Sequence, residues 1–191
     1  MDTARLEGIT AFIQSAEALK DTLRSGHSAK GRPESTAEHS WRLCLLALVL
    51  AEEFTGIDRL RLLELCILHD LGEAVSGDIP ATEQCPDADK AARERADLEA
   101  LAAPLPPDIR ARLLALQDEY DAAATPEAVL AKGLDKIETV LQHAKGANPP
   151  GFDLGFNLPY GRARTDAHPL LAALRAIADR ETRAAMARPA P

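Results

Sequence analysis

Aromatic residues make up only 4% of this 191-residue chain and valine occurs four times, so the residues that suit a pleated, half-buried sheet surface are scarce. Leucine and alanine dominate instead, and the expectation is an all-α protein. No apolar run approaches the ~18 residues of a membrane span, and the opening Met1-Asp2-Thr3-Ala4-Arg5 lacks the basic start and apolar stretch of a secretory leader. A basic excess is missing too. Against 30 Asp and Glu stand 22 Lys and Arg, a formal charge of −8, which argues against a broad surface for a nucleic-acid polymer. Any anionic ligand must therefore meet a local group of cations. Cysteine is limited to positions 44, 66 and 85, without C-x-x-C spacing; Cys44 and Cys66 sit in apolar runs and read as packed, reduced thiols of a soluble cytoplasmic protein.

What the chain does have is helical periodicity, cut by Pro and Gly. Leu6, Ile9, Phe12, Ile13, Ala16, Leu19 and Leu23 recur at three- and four-residue intervals and predict a first helix ending near Ser25-Gly26. A polar, cationic stretch over 27–33 follows. Ser35-Thr36-Ala37-Glu38 has the form of a capping box and predicts a second helix over 36–54. Beyond Trp41 that helix is apolar on nearly every side, which places it at the centre of a bundle with Trp41 filling core. Asp58 caps a third apolar helix ending in His69-Asp70-Leu71-Gly72-Glu73. Further helices are expected over about 87–102, 108–120, 126–144 and 168–187, with turns at 75–80 and a long irregular segment at 145–166 of the kind that often forms a lid. There is no internal repeat and no second core, so 1–191 reads as one domain.

The polar residues that interrupt these apolar runs carry the chemistry. His39 lies one turn into a helix heading for the core, and His69-Asp70 ends another. Asp135 sits among apolar residues on a third, and a buried carboxylate needs a cation or hydrogen bonds. Singly, each histidine reads as a packed or capping residue; together, two imidazoles and two carboxylates form a mixed N and O donor set suited to a divalent transition ion. Such an ion with open positions acidifies bound water and polarises a phosphoryl oxygen, so phosphomonoester hydrolysis is the natural reaction. Glu73, four residues after His69, can approach the same centre. Arg32 stands on the loop leading into the helix of His39, where its guanidinium fork suits phosphate oxygens. Arg24, Lys30, Arg162 and Arg164 are further cations for an anion, and His143 shares a helix side with Asp135.

Glu38-His39, His69-Asp70 and Asp135, in the order H…HD…D, resemble the metal-binding signature of the all-helical HD-domain phosphohydrolases. The stretches Arg32–Ser40 and His69–Ile79 resemble in particular the branch that contains the 5′-deoxynucleotidases, and the likeness covers about residues 1–145. The resemblance implies that His39, His69, Asp70 and Asp135 hold the metal, that Glu73 moves a proton as general acid or base, and that Asp78 positions water or leaving group. With no further histidine between 71 and 134, a single ion is expected: Mn2+ or Co2+, with Fe2+ or Zn2+ as alternatives. The implied substrate is a nucleoside 5′-monophosphate, 2′-deoxy in its sugar, held by Arg32, Arg24 and Lys30; the implied assembly is a homodimer. In that branch an aromatic residue follows the Arg ahead of the first His, whereas Ser25 follows Arg24 here. Another phosphoester substrate, or a helical binding module with a purely structural metal, are the competing expectations.

Overall fold

The computed structural model describes residues 2–81 and 90–188. Its elements are α1 (Thr3–Ala16), a 3-10 turn (Glu17–Lys20), β1 (Leu23–His27), β2 (Pro33–Ser35), α2 (Thr36–Leu50), α3 (Arg59–Leu68), α4 (Glu73–Ser76), α5 (Lys90–Leu101), α6 (Pro107–Ala122), α7 (Pro126–Lys145), a 3-10 turn (Leu154–Asn157), α8 (Arg162–Thr165) and α9 (Pro169–Met186). Among the described residues the protein is all-α apart from one two-stranded antiparallel hairpin. The expected helix from 87 starts at Lys90 within the described residues; positions 87–89, with Cys85, lie outside them.

α7 is the axis of the structure. It packs against α2, α3, α6 and α9, and Leu130, Leu134 and Ile137 on it join Leu43, Leu62, Leu65, Leu68 and Leu171 in the main core. Pro126 opens it with Thr125 as cap, whose hydroxyl accepts from Ala128 N. The approach of α9 is close enough that a Cβ on Gly133 would lie 2.3 Å from Leu171 Cδ1. Because of this packing the fold does not end at residue 145: the last helix is part of the same core.

Two expectations are corrected. The first helix stops at Ala16, because residues 23–27 leave helical geometry to pair with β2, Leu23 opposite Ser35 and His27 opposite Pro33. Helical spacing is read within one segment, and the hairpin is fixed by pairing with a second segment across the loop. The second correction concerns α2, which ends at Leu50 and lies at the surface rather than the centre. Only the face carrying His39, Leu43 and Ala47 is buried against α3 and α7; Trp41 is 65% exposed, Leu48 58% and Val49 64%. The polar side of the helix is thus replaced by a second apolar face that no described residue covers.

Candidate metal centre and cavity

The hairpin aims the site. β2 runs without a break into the capping box at the head of α2, where the Ser35 hydroxyl serves Glu38 N and the Glu38 carboxylate accepts from Ser35 N at 2.9 Å. One residue later His39 points inward, fully buried. His69 caps the C-terminal end of α3, Asp70 follows it in the turn to α4, and Asp135 projects from the middle of α7.

Among the described residues, His39, His69 and Asp70 each bring a donor atom within 4.8 Å of the others. Asp135 Oδ1 lies 3.3 Å from His39 Nε2 and 3.9 Å from His69 Nε2. The four expected ligands therefore converge. Both imidazoles are oriented from behind: His69 Nδ1 donates to Cys66 O at 2.9 Å, and His39 Nδ1 pairs with Glu138, which is itself 3.1 Å from Arg42 Nε. On its other side, His69 Nε2 lies 3.0 Å from Asp70 Oδ2. The Nε2 atoms of both rings are buried and without a hydrogen bond. Such an arrangement is stable only around a positive charge, and it fits a divalent ion whose ligands are held by their far-side partners.

The electrostatics agree. Burial and Arg24 pull His39 down, yet the Asp135 and Glu138 carboxylates outweigh them and lift it to about 10, so without a metal a proton fills the demand for a cation. Burial would raise Asp70, but His69, Arg24 and His39 hold it well below the ordinary carboxylate range. Asp135 is held low in spite of its burial by Lys136, whose Nζ is 2.8 Å from Oδ2, and by both imidazoles. Tyr120 OH donates to the same oxygen at 3.1 Å.

A cavity of about 340 Å3 opens onto the centre, with Asp70 and Asp135 in its wall. Glu73 and Asp78 line it as expected. Glu73 Oε2 accepts from the Thr36 hydroxyl at 2.9 Å; burial, Asp70 and Asp78 push its carboxyl up to about 9 against Arg24 and that hydrogen bond. Arg24 also lines the cavity, 3.2 Å from Asp70 Oδ2 and 4.0 Å from Asp78 Oδ1. Lys136, Thr139 and His143 come from α7, and Phe152, Phe156 and Tyr160 from the long segment before α8.

Arg32 and Lys30 are not brought to this cavity. Arg32 forms an ion pair with the capping-box carboxylate of Glu38 and donates to Pro33 O at 3.0 Å, its side chain 61% exposed. Lys30 is exposed in the hairpin loop. Arg162 pairs with Asp179, while Arg164 is exposed on α8. His27 lies on β1, and His168 caps α9, accepting from Leu170 N. The sequence reading passed over Lys136, Glu138, Tyr120 and the three aromatic residues. A signal existed for Glu138 and Thr139: with Asp135 and Gln142 they form a polar stripe at helical spacing on a helix that is otherwise apolar inside.

Comparison with known proteins places this geometry. The HD domain family matches residues 16–175. Mouse 5′-deoxynucleotidase HDDC2 is 31% identical over 137 residues, covering 71% of this chain and 68% of the mouse protein. The 5′-deoxynucleotidase hdd1 of Schizosaccharomyces pombe is 31% identical over 151 residues, covering 74% of each. A crystal structure described as that of a predicted metal-dependent phosphohydrolase, from Magnetospirillum magnetotacticum, is 29% identical with a TM-score of 0.72 over 96% of both chains.

Proposed function

Because the chain belongs to the HD domain family, we propose that it is a metal-dependent phosphohydrolase releasing phosphate from nucleoside 5′-monophosphates, the 2′-deoxy forms preferred. One observation carries the reading: the two orphaned imidazole nitrogens lie against the Asp70 and Asp135 carboxylates, which line a cavity that also holds cations and aromatic rings. A structural metal would be closed off by protein ligands, whereas this cluster faces open space. The names of the mouse and yeast relatives support the substrate class.

His39, His69, Asp70 and Asp135 would hold one divalent ion, Mn2+ or Co2+ before Fe2+ or Zn2+. When bound, it supplies an acidified water and a Lewis-acid contact to a phosphoryl oxygen. Arg24 and Lys136, both paired to the ligand carboxylates, offer positive charge to the phosphate's other oxygens. Glu73, protonated at neutral pH, gives its proton to the departing 5′ oxygen, and Asp78 orients the water or leaving group. Phe152, Phe156 and Tyr160 provide the aromatic surface for the nucleoside; the Phe156 and Tyr160 rings are 5.2 Å apart. The exposed face of α2 supports pairing with a second copy. A reducing, cytoplasmic setting accords with Cys66, whose thiol burial pushes up; no helix among the described residues is long and apolar enough to cross a membrane.

The test is phosphate release from a panel of deoxy- and ribonucleotides with several divalent ions, beside metal analysis of the protein as isolated. Release from deoxynucleoside monophosphates with Mn2+ or Co2+ is expected, and silence across the panel overturns the reading. Glu73→Ala should keep fold and metal while losing at least about a hundredfold in kcat; unchanged turnover removes Glu73 from its role.

A further inference from the structure

A second cavity, about 310 Å3, reaches the same centre. It shares Asp70, Asp135 and Lys136 with the first, and His69 enters its wall. The linings differ in kind: Phe152, Phe156 and Tyr160 belong to the first alone, while Lys132 and Arg164 belong to the second. Lys132 is held over the Tyr120 ring, 4.2 Å from its centroid, with Asp121 3.8 Å away. Arg164 has no carboxylate partner among the described residues, and Lys136 is engaged by Asp135. Burial, with the Arg164 and Lys136 charges beside it, draws the Lys132 ammonium below its ordinary value despite Asp121. The same wall carries Asp70, Glu94, Asp121 and Asp135; Asp121 faces Lys132 and Asp135 faces Lys136. With the remaining N–H donors of Lys132 and Lys136 beside it, Arg164 is thus the lining cation whose charge is left to an incoming anion.

Hydrolysis supplies one. The phosphorus–O5′ bond breaks as a bond to the water oxygen forms; O5′ of the nucleoside takes the Glu73 proton, one water proton restores Glu73, and the other stays with the phosphate, which leaves as the hydrogen phosphate dianion. In an in-line displacement the phosphoryl group moves away from the departing oxygen. With the nucleoside against the aromatic wall of the first cavity, the transferred phosphoryl group lies by Asp70, Asp135 and Lys136, which both cavities share. We infer that the cavity formed by Lys132, Lys136 and Arg164 is a binding site for inorganic phosphate, through which the product leaves. The inference rests on the function proposed above.

Arg164→Ala and Lys132→Gln test it with inorganic phosphate as probe. Calorimetric titration of the metal-loaded protein should show phosphate binding weakened about five- to tenfold in either variant. In turnover, phosphate should inhibit the wild type with a component that excess nucleotide does not relieve, and each variant should lose that component at unchanged nucleotide KM. Equal phosphate affinity in wild type and both variants, or KM and the inhibition constant rising together, overturns the site. The two readings fail separately. Phosphate binding that weakens in both variants of a protein without turnover leaves the anion site standing and sinks the reaction; turnover with phosphate binding indifferent to Arg164 and Lys132 does the reverse.

Discussion

Glu34 on β2 is a buried carboxylate with a guanidinium nitrogen of Arg24 3.7 Å away. Burial and the nearby Glu138 push its carboxyl up from 4.5 to about 7, against Arg24, His39 and Arg42. The folded chain therefore holds this proton more tightly than the unfolded chain. Its contribution to stability is fully present below pH 4.5 and is lost as pH rises through about 7. Glu34→Gln has no proton to lose, so relative to wild type it should gain stability over that window, by on the order of 2 kcal/mol. Urea midpoints for both proteins from about pH 4.5 to 8 measure it; a constant difference across the range refutes the assignment. The same scale explains what the sequence left hidden. His39, His69, Asp70 and Asp135 were legible because polar residues interrupt apolar runs. Lys136 and Tyr120 were not, since a lysine or tyrosine on an amphipathic helix has an ordinary place at the surface, and only packing reveals that each is aimed at Asp135.

At the scale of elements, the aromatic wall of the first cavity is held by α9. Arg175, fully buried, donates to Leu158 O at 3.0 Å and also to Asn157 O and Tyr160 O, while its Nε is 2.8 Å from Asp179 Oδ1. One side chain thus satisfies the carbonyls of the segment bearing Phe156 and Tyr160. Arg175→Met should leave metal content intact, raise nucleotide KM by about tenfold with a smaller change in kcat, and cost about 3 kcal/mol of stability because Asp179 loses a buried partner. Arg175→Lys should recover part of the KM. A kcat loss at unchanged KM would show that the wall does not serve binding. Most helices here were legible to within a few residues: α6 extends one residue before and two beyond its expected range, and α7 ends at Lys145 rather than 144. The hairpin was not, because strand pairing depends on a partner elsewhere in the chain. Nor was the exposure of α2, since a helix apolar all round has the same pattern whether protein or a partner covers it.

For the whole molecule, a centre that demands positive charge ties α2, α3 and α7 together, so occupancy is a stability term. Chelation should lower Tm, and Mn2+ or Co2+ at about a hundredfold over its dissociation constant should restore about 2.7 kcal/mol, several degrees in a thermal scan. Identical Tm with and without ion would mean that the cluster binds nothing. The uncovered face of α2, with Trp41, Leu45, Leu48 and Val49, predicts a dimer in sedimentation velocity and a folded monomer for Leu48→Glu. A wild type that stays monomeric at high concentration removes the pairing.

The hairpin that aims His39 lies in the first fifth of the chain, Asp135 arrives much later, and the Phe156–Tyr160 wall later still. During synthesis the early imidazole, with its neighbours, is made long before the carboxylate that completes the set has left the ribosome. The four donors can therefore hold the ion together only once α7 has been made, and a chain stalled before Asp135 lacks the full set needed to sequester metal from the cell.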